Sequence, residues 1–358
     1  MNDSARYNRQ TILPEIGQEG QHKLSKAKVL IIGAGGLGVA VLPYLAAAGV
    51  GEIGIIDDDV IEISNLQRQV IYKTSALGKY KVEEAKAMIS ELNPEVKVNA
   101  IAEKLSGKNA IWLFEKYDII VDATDNLSIK YLINDACVIT NKPMVYGSIF
   151  RFQGQVSVFN YKNGPTYRCL YPDENTQSAS CADAGVIGIS VGIIGLLQAN
   201  EVIKMILEIG EVLSGNILVY NILNNEQQKY DFEKDSAFEI DKKGFDEKYK
   251  VIKNQIIEIA AEAILNEIDA DEVVFLDVRN EDEFPKINFK NGIQIPLMDL
   301  ENEIAKLNPN QSIFIYCQSG IRSKIAVELL QKKNFKNVKS IAGGALALSQ
   351  IVKEKIAD

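Results

Sequence analysis

The chain has 358 residues, 47% hydrophobic and 24% charged, which excludes wholesale disorder and suits about two domains. A net charge of −9 offers no general basic surface, so nucleic acid is not expected as a partner. Four widely spaced cysteines (Cys137, Cys169, Cys181 and Cys317) argue against a disulfide framework, and no two of them form a Cys-x-x-Cys pair.

The opening residues, Met1-Asn-Asp-Ser-Ala-Arg6, form a polar arm with no apolar core behind a basic start. No export signal is expected, and the cytoplasm is the expected location. Lys28-Val-Leu-Ile-Ile-Gly33 is an apolar, β-branched run ending in glycine, which predicts a buried parallel strand. A Gly-rich turn and an Ala/Leu-rich helix come next, to Ala48, with Pro43 predicting a kink or an early break. Further strands are predicted at Glu52 to Asp57, Val96 to Ala102, Ile119 to Asp122, Met144 to Tyr146, Gln155 to Phe159 and Asn216 to Tyr220. Helices are predicted at Lys81 to Leu92, Ile129 to Thr140 and Gly192 to Leu207. The longest apolar stretch, Ala184 to Leu197, is too short to cross a bilayer, so no membrane partner is expected. Alternating strands and helices predict an α/β fold: a doubly wound, Rossmann-like, mostly parallel sheet over residues 1–232.

Asp231 to Lys250 carries seven acids and five lysines, and residues 233–250 are predicted to be a charged linker. Residues 251–358 then predict a second, small α/β domain. Its strands are expected at Val273 to Leu276, Ile313 to Tyr316 and Val338 to Ile341, and its helices at Ile256 to Asn266 and Ser323 to Lys333.

Gly33-Ala-Gly35-Gly36-Leu-Gly38 lies between the first strand and its helix, where glycines admit phosphates to the helix N-terminus. Asp57 ends the next strand, where an acid can bond ribose hydroxyls. That fingerprint alone would suit a nicotinamide oxidoreductase. Four further motifs do not fit one: Asp57-Asp-Asp59, Ser64-Asn65-Leu-Gln67-Arg68-Gln69, Lys81 at a helix start, and Asp122-Ala-Thr-Asp125-Asn126 after a strand. Singly, Arg68, Lys81 and Asp125 suit solvated surface charges; as an ordered set they suit a site.

With Arg6-Tyr-Asn-Arg9-Gln10, Gly78-Lys-Tyr-Lys81-Val-Glu and Cys181-Ala-Asp-Ala-Gly185-Val, the segment 1–232 resembles the MoeB/ThiF family, bacterial relatives of ubiquitin-activating enzymes. The resemblance implies adenylation, with ATP and Mg2+, of the C-terminal glycine of a ubiquitin-like sulfur carrier. It assigns Gly33, Gly35, Gly36 and Gly38 to the nucleotide, Asp57 to the ribose, and Asn65, Arg68 and Lys81 to the phosphates. Asp125 would help hold magnesium. Arg9 would reach the γ-phosphate of a partner subunit, which implies a homodimer. The chemistry is consistent, because a carboxylate attacking an anionic phosphate needs cations around it. It needs no acid–base histidine, and the chain has only His22, expected at the surface.

The family's two Cys-x-x-Cys zinc pairs are absent. Thr166-Tyr-Arg-Cys169 keeps one cysteine, and the stretch from Tyr230 to Ile240 has none. No structural zinc is expected, Cys169 should be a buried structural thiol, and other packing, such as the linker, should replace the metal. Cys181 matches a family cysteine that forms a thioester or acyl disulfide in some members and is dispensable in others, and both roles stay open. Cys137 is expected in the core, and Trp112, before Leu113-Phe114, is expected to serve packing.

In the second segment Ile313-Phe-Ile-Tyr-Cys317-Gln-Ser-Gly320-Ile-Arg322-Ser323 delivers a cysteine from a strand to a helix N-terminus, which lowers a thiol pKa. Arg322 adds positive charge, and Ser323 is the expected N-cap. With Leu276-Asp277-Val-Arg279, Gly292-Ile-Gln-Ile-Pro296 and Gly343-Gly344, residues 251–350 resemble a rhodanese domain. Four residues separate Cys317 from Arg322, against five in related dual-specificity phosphatases, so the loop suits a persulfide sulfur better than phosphate. Asp277 and Arg279 suit a structural ion pair.

Together these readings predict an adenylyltransferase fused to a sulfurtransferase. Its partners would be a MoaD-like carrier of molybdenum cofactor biosynthesis or a ThiS-like carrier of thiamin biosynthesis, with the former favoured, and a cysteine desulfurase or other sulfur donor. A tRNA-thiolation carrier, a tRNA-modifying dehydratase, a non-catalytic carrier-binding scaffold and a nicotinamide oxidoreductase are the alternatives.

Overall fold

The computed structural model describes residues 3–172, 174, 185–235, 239–250, 257–264 and 273–357. The chain divides into two units, residues 1–251 and 252–358.

The first unit is built on an eight-stranded sheet in the order β3-β2-β1-β4-β5-β6-β7-β8. Strands β1 (Lys28–Ile32), β2 (Glu52–Ile56), β3 (Lys97–Ile101), β4 (Ile119–Asp122) and β5 (Met144–Phe150) are parallel. Strands β6 (Gln153–Phe159), β7 (Asn216–Asn221) and β8 (Glu226–Asp231) extend the sheet antiparallel. β1 is apolar throughout its buried length because both faces are covered. Val29 and Ile31 pack with helices α2 (Gly38–Ala48), α3 (Lys81–Leu92) and α5 (Gly188–Leu207). Leu30 and Ile32 pack with α4 (Leu127–Thr140) on the other face.

Pro43 does not end its helix. α2 continues to Ala48 and is capped by Gly49 at φ 84°. Leu42 and Leu45 are fully buried beside it, so tertiary packing overrides the missing N–H. Between the opening polar arm and β1 lies a helix that its charge pattern hides, α1 (Gly17–Lys26), and His22 is exposed on it. α5 is long and apolar enough to cross a membrane by length and composition, yet half of that stretch is buried. Trp112, expected to serve packing, is 46% exposed with Lys116 over its ring. Cys137 is fully buried as expected.

The reading of residues 233–250 as a linker with few core positions is also corrected. Phe245 is fully buried in the first unit's core, Tyr249 packs on it, and the Tyr249 hydroxyl donates to Asp135 Oδ2 at 2.6 Å. The apolar residues Ile240, Phe245 and Tyr249 face the core, and the surrounding Asp and Lys residues mask that face in composition.

The second unit is a five-stranded parallel sheet in the order β11-β10-β12-β13-β9. These strands are β9 (Ile257–Ile259), β10 (Val273–Asp277), β11 (Gly292–Gln294), β12 (Ser312–Tyr316) and β13 (Val338–Ile341). Helices α6 (Ile321–Lys332) and α7 (Gly344–Ala357) complete it. The helix expected over Ile256 to Asn266 is corrected. Residues Ile257–Ile259 pair with β13, and only Ala261–Ile264 makes a short 3-10 turn. β-branched isoleucines favour a sheet edge that needs a partner, and tertiary pairing decided the outcome.

Candidate functional site

Sheet order reverses between β1 and β4, and the crevice at their C-terminal ends is where this topology opens a ligand site. The glycine turn sits there. Gly33 adopts φ +97°, and a Cβ on it would lie 2.8 Å from the Ala123 carbonyl oxygen. A Cβ on Gly38 would lie 2.1 Å from the Gly33 carbonyl oxygen. These two glycines are demanded by packing. Gly35 is open, its nearest such neighbour being Gln69 Nε2 at 3.7 Å, and Gly36 rests on Val191. Gly33, Gly35 and Gly36 line a cleft of about 840 Å³, and Gly38 does not.

Asp57, Asn65, Arg68, Lys81 and Asp125 line the same cleft, so one site collects residues spread over some seventy positions. Burial raises the Asp57 carboxyl above its ordinary range, although the Ala34 N–H at 2.7 Å and the Asp59 N–H at 2.8 Å both donate to it. The bond from Ala34 ties Asp57 directly to the glycine turn. Lys81 is 5% exposed, and its Nζ lies 2.6 Å from Asp59 Oδ2. Arg68 donates to the Ser64 carbonyl at 3.0 Å. Asp125 is exposed at the cleft, and the oxygens of Asp57, Asp58 and Asp59 lie within 4.8 Å of one another. Arg9 is exposed and does not line this cleft. Cys181 lies outside the described residues.

Two cleft residues escaped the sequence reading. Gln69 is buried, and its Oε1 has no hydrogen-bond partner among the described residues. Lys130 is buried with its Nζ 2.7 Å from Asp122 Oδ2, 2.8 Å from the Thr124 carbonyl and 3.1 Å from the Gly147 carbonyl. A lysine in a helical pattern suits a surface position, so only the buried Asp122 beneath it could have given a signal.

Away from the cleft, Cys169 is half-buried rather than fully buried, and it accepts from the backbone N–H groups of Thr166 and Asp235, each at 3.3 Å. Asp235 belongs to the stretch expected to replace the metal. Next to it the Arg168 guanidinium grips Asp135 at 2.7 and 2.8 Å, and Asp135 also accepts from Tyr249. A single cysteine sulfur held by amides does not provide the donor set of a tetrahedral zinc site.

In the second unit β12 delivers Cys317, 1% exposed, to a loop entering α6. Burial pushes the thiol up, but the backbone N–H groups of Ser323, Ser319 and Gly320 and the Ser323 hydroxyl outweigh it and hold the thiol below its ordinary value. The Gly320 N–H lies 3.1 Å from Sγ, and Gly320 needs its φ of +101° to turn the loop. Gly320 is the N-cap, so the expectation for Ser323 is corrected. The Ser323 hydroxyl donates to the Gly320 carbonyl at 3.0 Å and lies 2.8 Å from Ser340 Oγ. Arg322 is bound bidentate to Glu283 at 2.6 and 2.5 Å. Arg279 and Asp277 form a buried pair, and Arg279 also donates to the Pro285 carbonyl and to Gln318 Oε1 of the loop.

A glycine turn at a sheet switch point in one unit and a thiol at a helix N-terminus in the other define the class: a nucleotide-binding α/β enzyme that carries a sulfur-handling domain. Comparison with known proteins specifies it. The ThiF family model matches residues 7–238, and the Rhodanese-like domain model matches residues 260–350. The chain is 39% identical over 364 residues to a probable molybdopterin-synthase adenylyltransferase of Porphyra purpurea, covering 98% of this chain and 94% of that protein. It is 36% identical to adenylyltransferase and sulfurtransferase MOCS3 of Arabidopsis thaliana, covering 95% and 82% of the two chains. It is 38% identical to a probable adenylyltransferase/sulfurtransferase MoeZ of Mycobacterium tuberculosis, covering 96% and 92%. Among solved structures, Escherichia coli MccB with ATP is 25% identical at a TM-score of 0.57, covering 65% of this chain and 73% of that one. The chain therefore belongs to the ThiF family and carries a C-terminal rhodanese domain. It is an enzyme that adenylates a sulfur carrier and transfers sulfur through the rhodanese domain. The family uses ATP, and the nicotinamide and scaffold alternatives are set aside.

Proposed function

We propose that the carrier is MoaD-like and that this chain converts its C-terminal carboxylate to a thiocarboxylate for molybdenum cofactor biosynthesis. The relatives named molybdopterin-synthase adenylyltransferase support this carrier, with a ThiS-like carrier as the second reading. The observation that carries the adenylation site is the convergence of Gly35, Asp57, Arg68, Lys81 and Asp125 on one cleft. There the carrier carboxylate attacks the α-phosphorus of ATP, the α–β bridge bond breaks, and pyrophosphate leaves. Arg68 and Lys81 offset the negative charge at the phosphates, and Asp57 holds the ribose. Arg9, outside the cleft of its own chain, is assigned to the nucleotide of the partner in a homodimer.

Magnesium prefers oxygen ligands, and Asp125, exposed at the cleft, offers a carboxylate of that donor type, so the residue fits it. Bound there, the ion would neutralise charge on the departing pyrophosphate.

In the second unit Cys317 takes sulfur from a donor such as a cysteine desulfurase and holds it as a persulfide. The terminal sulfur attacks the acyl carbon, AMP leaves with the bonding pair, and an acyl disulfide forms. A thiolate, assigned to Cys181, attacks Cys317 Sγ and releases the thiocarboxylate. The resulting Cys181–Cys317 disulfide is reset by an external dithiol. The enzyme acts in the cytoplasm.

The test is mass spectrometry of the carrier after incubation with ATP, magnesium and a persulfide source. Replacement of one carboxylate oxygen by sulfur is expected, and its loss in Cys317→Ser with adenylate formation intact. A carrier thiolated equally by Cys317→Ser would overturn the assignment.

A further inference from the structure

Cations beside the Cys317 loop are each matched by a carboxylate or held by a neighbouring group. Arg322 is locked bidentate on Glu283. Arg279, behind the loop, is held by Asp277. Lys324, on α6, lies 3.0 Å from Glu258, whose Oε1 sits 3.8 Å from where a Gly320 Cβ would be. Lys286 stands over the Phe284 ring and donates to the Glu281 carbonyl. The Glu283 carboxyl is held far below its usual range, at about 2, chiefly by Arg322, so the pair is ionised wherever the enzyme works.

A small sulfur oxyanion such as thiosulfate brings two negative charges and needs an uncommitted cation near the thiol. A thiol persulfide brings at most one charge, and its sulfur can be received by the Ser319, Gly320 and Ser323 backbone N–H groups alone. Large apolar side chains border the same loop. Phe284 is 71% exposed, and its carbonyl accepts from Gln318 Nε2 at 2.8 Å. Ile321 is 70% exposed on the loop itself. Such a rim suits the body of a protein donor better than a hydrated dianion.

We propose that Glu283 is a specificity-determining residue: by committing Arg322, it makes the loop accept sulfur from a thiol persulfide and discriminates against sulfur oxyanions. The proposal rests on Cys317 as the sulfur-carrying thiol. In the favoured reaction the Cys317 thiolate attacks the terminal sulfur of R–S–SH. A new S–S bond forms at Cys317, the donor S–S bond breaks, and R–S⁻ leaves with the electron pair. In the disfavoured reaction the same thiolate takes the outer sulfur of thiosulfate and sulfite leaves.

The test compares the full-length enzyme with its Glu283→Gln variant, using thiosulfate or glutathione persulfide as donor and cyanide as acceptor, and reads thiocyanate. Freeing Arg322 is expected to lower the thiosulfate KM by about five-fold or more, while persulfide-dependent turnover changes less than about two-fold. An unchanged or raised thiosulfate KM, or equal loss with both donors, overturns the proposal. The wild-type enzyme supplies an independent check. Its thiosulfate KM should change less than about two-fold between roughly 0.05 and 0.5 M salt, because a neutral rim has little charge to screen. A steep rise contradicts it. Cys317→Ser, run in parallel, separates the two claims: thiocyanate formation surviving in that variant refutes Cys317 and the proposal that rests on it, whereas its loss there with an unchanged thiosulfate KM in Glu283→Gln refutes the role of Glu283 alone.

Discussion

The Lys81 ammonium lies 2.6 Å from Asp59, the lysine side chain 6% exposed and the carboxylate 66% exposed. The cation is thus fixed in the cleft wall by a partner that remains in contact with solvent. Lys81→Ala should lower ATP–pyrophosphate exchange by about 10²–10³-fold, the usual cost of removing one group that stabilises developing charge. A loss below ten-fold would remove Lys81 from the machinery.

The glycines of the turn should separate into two kinds. Gly38→Ala drives a methyl against the Gly33 carbonyl and should destabilise the first unit by about 3 kcal/mol. Gly35→Ala meets nothing closer than 3.7 Å and should melt like the parent. It should nevertheless weaken ATP binding about ten-fold by standing where a phosphate must approach the backbone. Thermal melts paired with ATP titration check both.

This division was not legible in the sequence. The spacing placed all four glycines in a nucleotide turn, but only the Ala123 carbonyl against Gly33 and the Gly33 carbonyl against Gly38 explain why two of them are packing requirements. The strands and the mostly parallel sheet followed from apolar runs such as Lys28 to Gly33, whereas the strand order came from the structure alone. The helix over Ile256 to Asn266 misled because a sheet edge elsewhere in the chain claimed its isoleucines. Phe245 was hidden by the charges around it. Lys130 and Gln69 were invisible for a related reason: polar side chains become site residues only when the fold buries them beside a cleft.

The buried Arg168–Asp135 pair and Phe245 hold together the stretch around Cys169. Asp135→Asn removes the buried charge that the Arg168 guanidinium, the Tyr249 hydroxyl and Lys248 share and should cost about 3 kcal/mol. Phe245→Ala should cost about as much, through the cavity it leaves. Chelator should leave the melting temperature unchanged, and a chelator-dependent drop would show that a metal contributes to this fold.

The sulfur loop gives two pH signatures. Alkylation of Cys317 should rise with pH through a midpoint below that of an ordinary thiol, since backbone donors favour its thiolate. The Glu283 carboxyl is depressed from 4.5 to about 2, so its pairing with Arg322 stabilises the second unit fully above 4.5. That contribution is lost as pH falls from there toward 2. A melting series in acid on the parent and Glu283→Gln should converge at the low end and diverge above it.

The most direct measurement is ATP–pyrophosphate exchange by the purified chain with a MoaD-like and a ThiS-like carrier from the same genome. Exchange that depends on the MoaD-like carrier and on its terminal glycine is the predicted result. Exchange with the ThiS-like carrier alone, or with neither, would contradict the assignment.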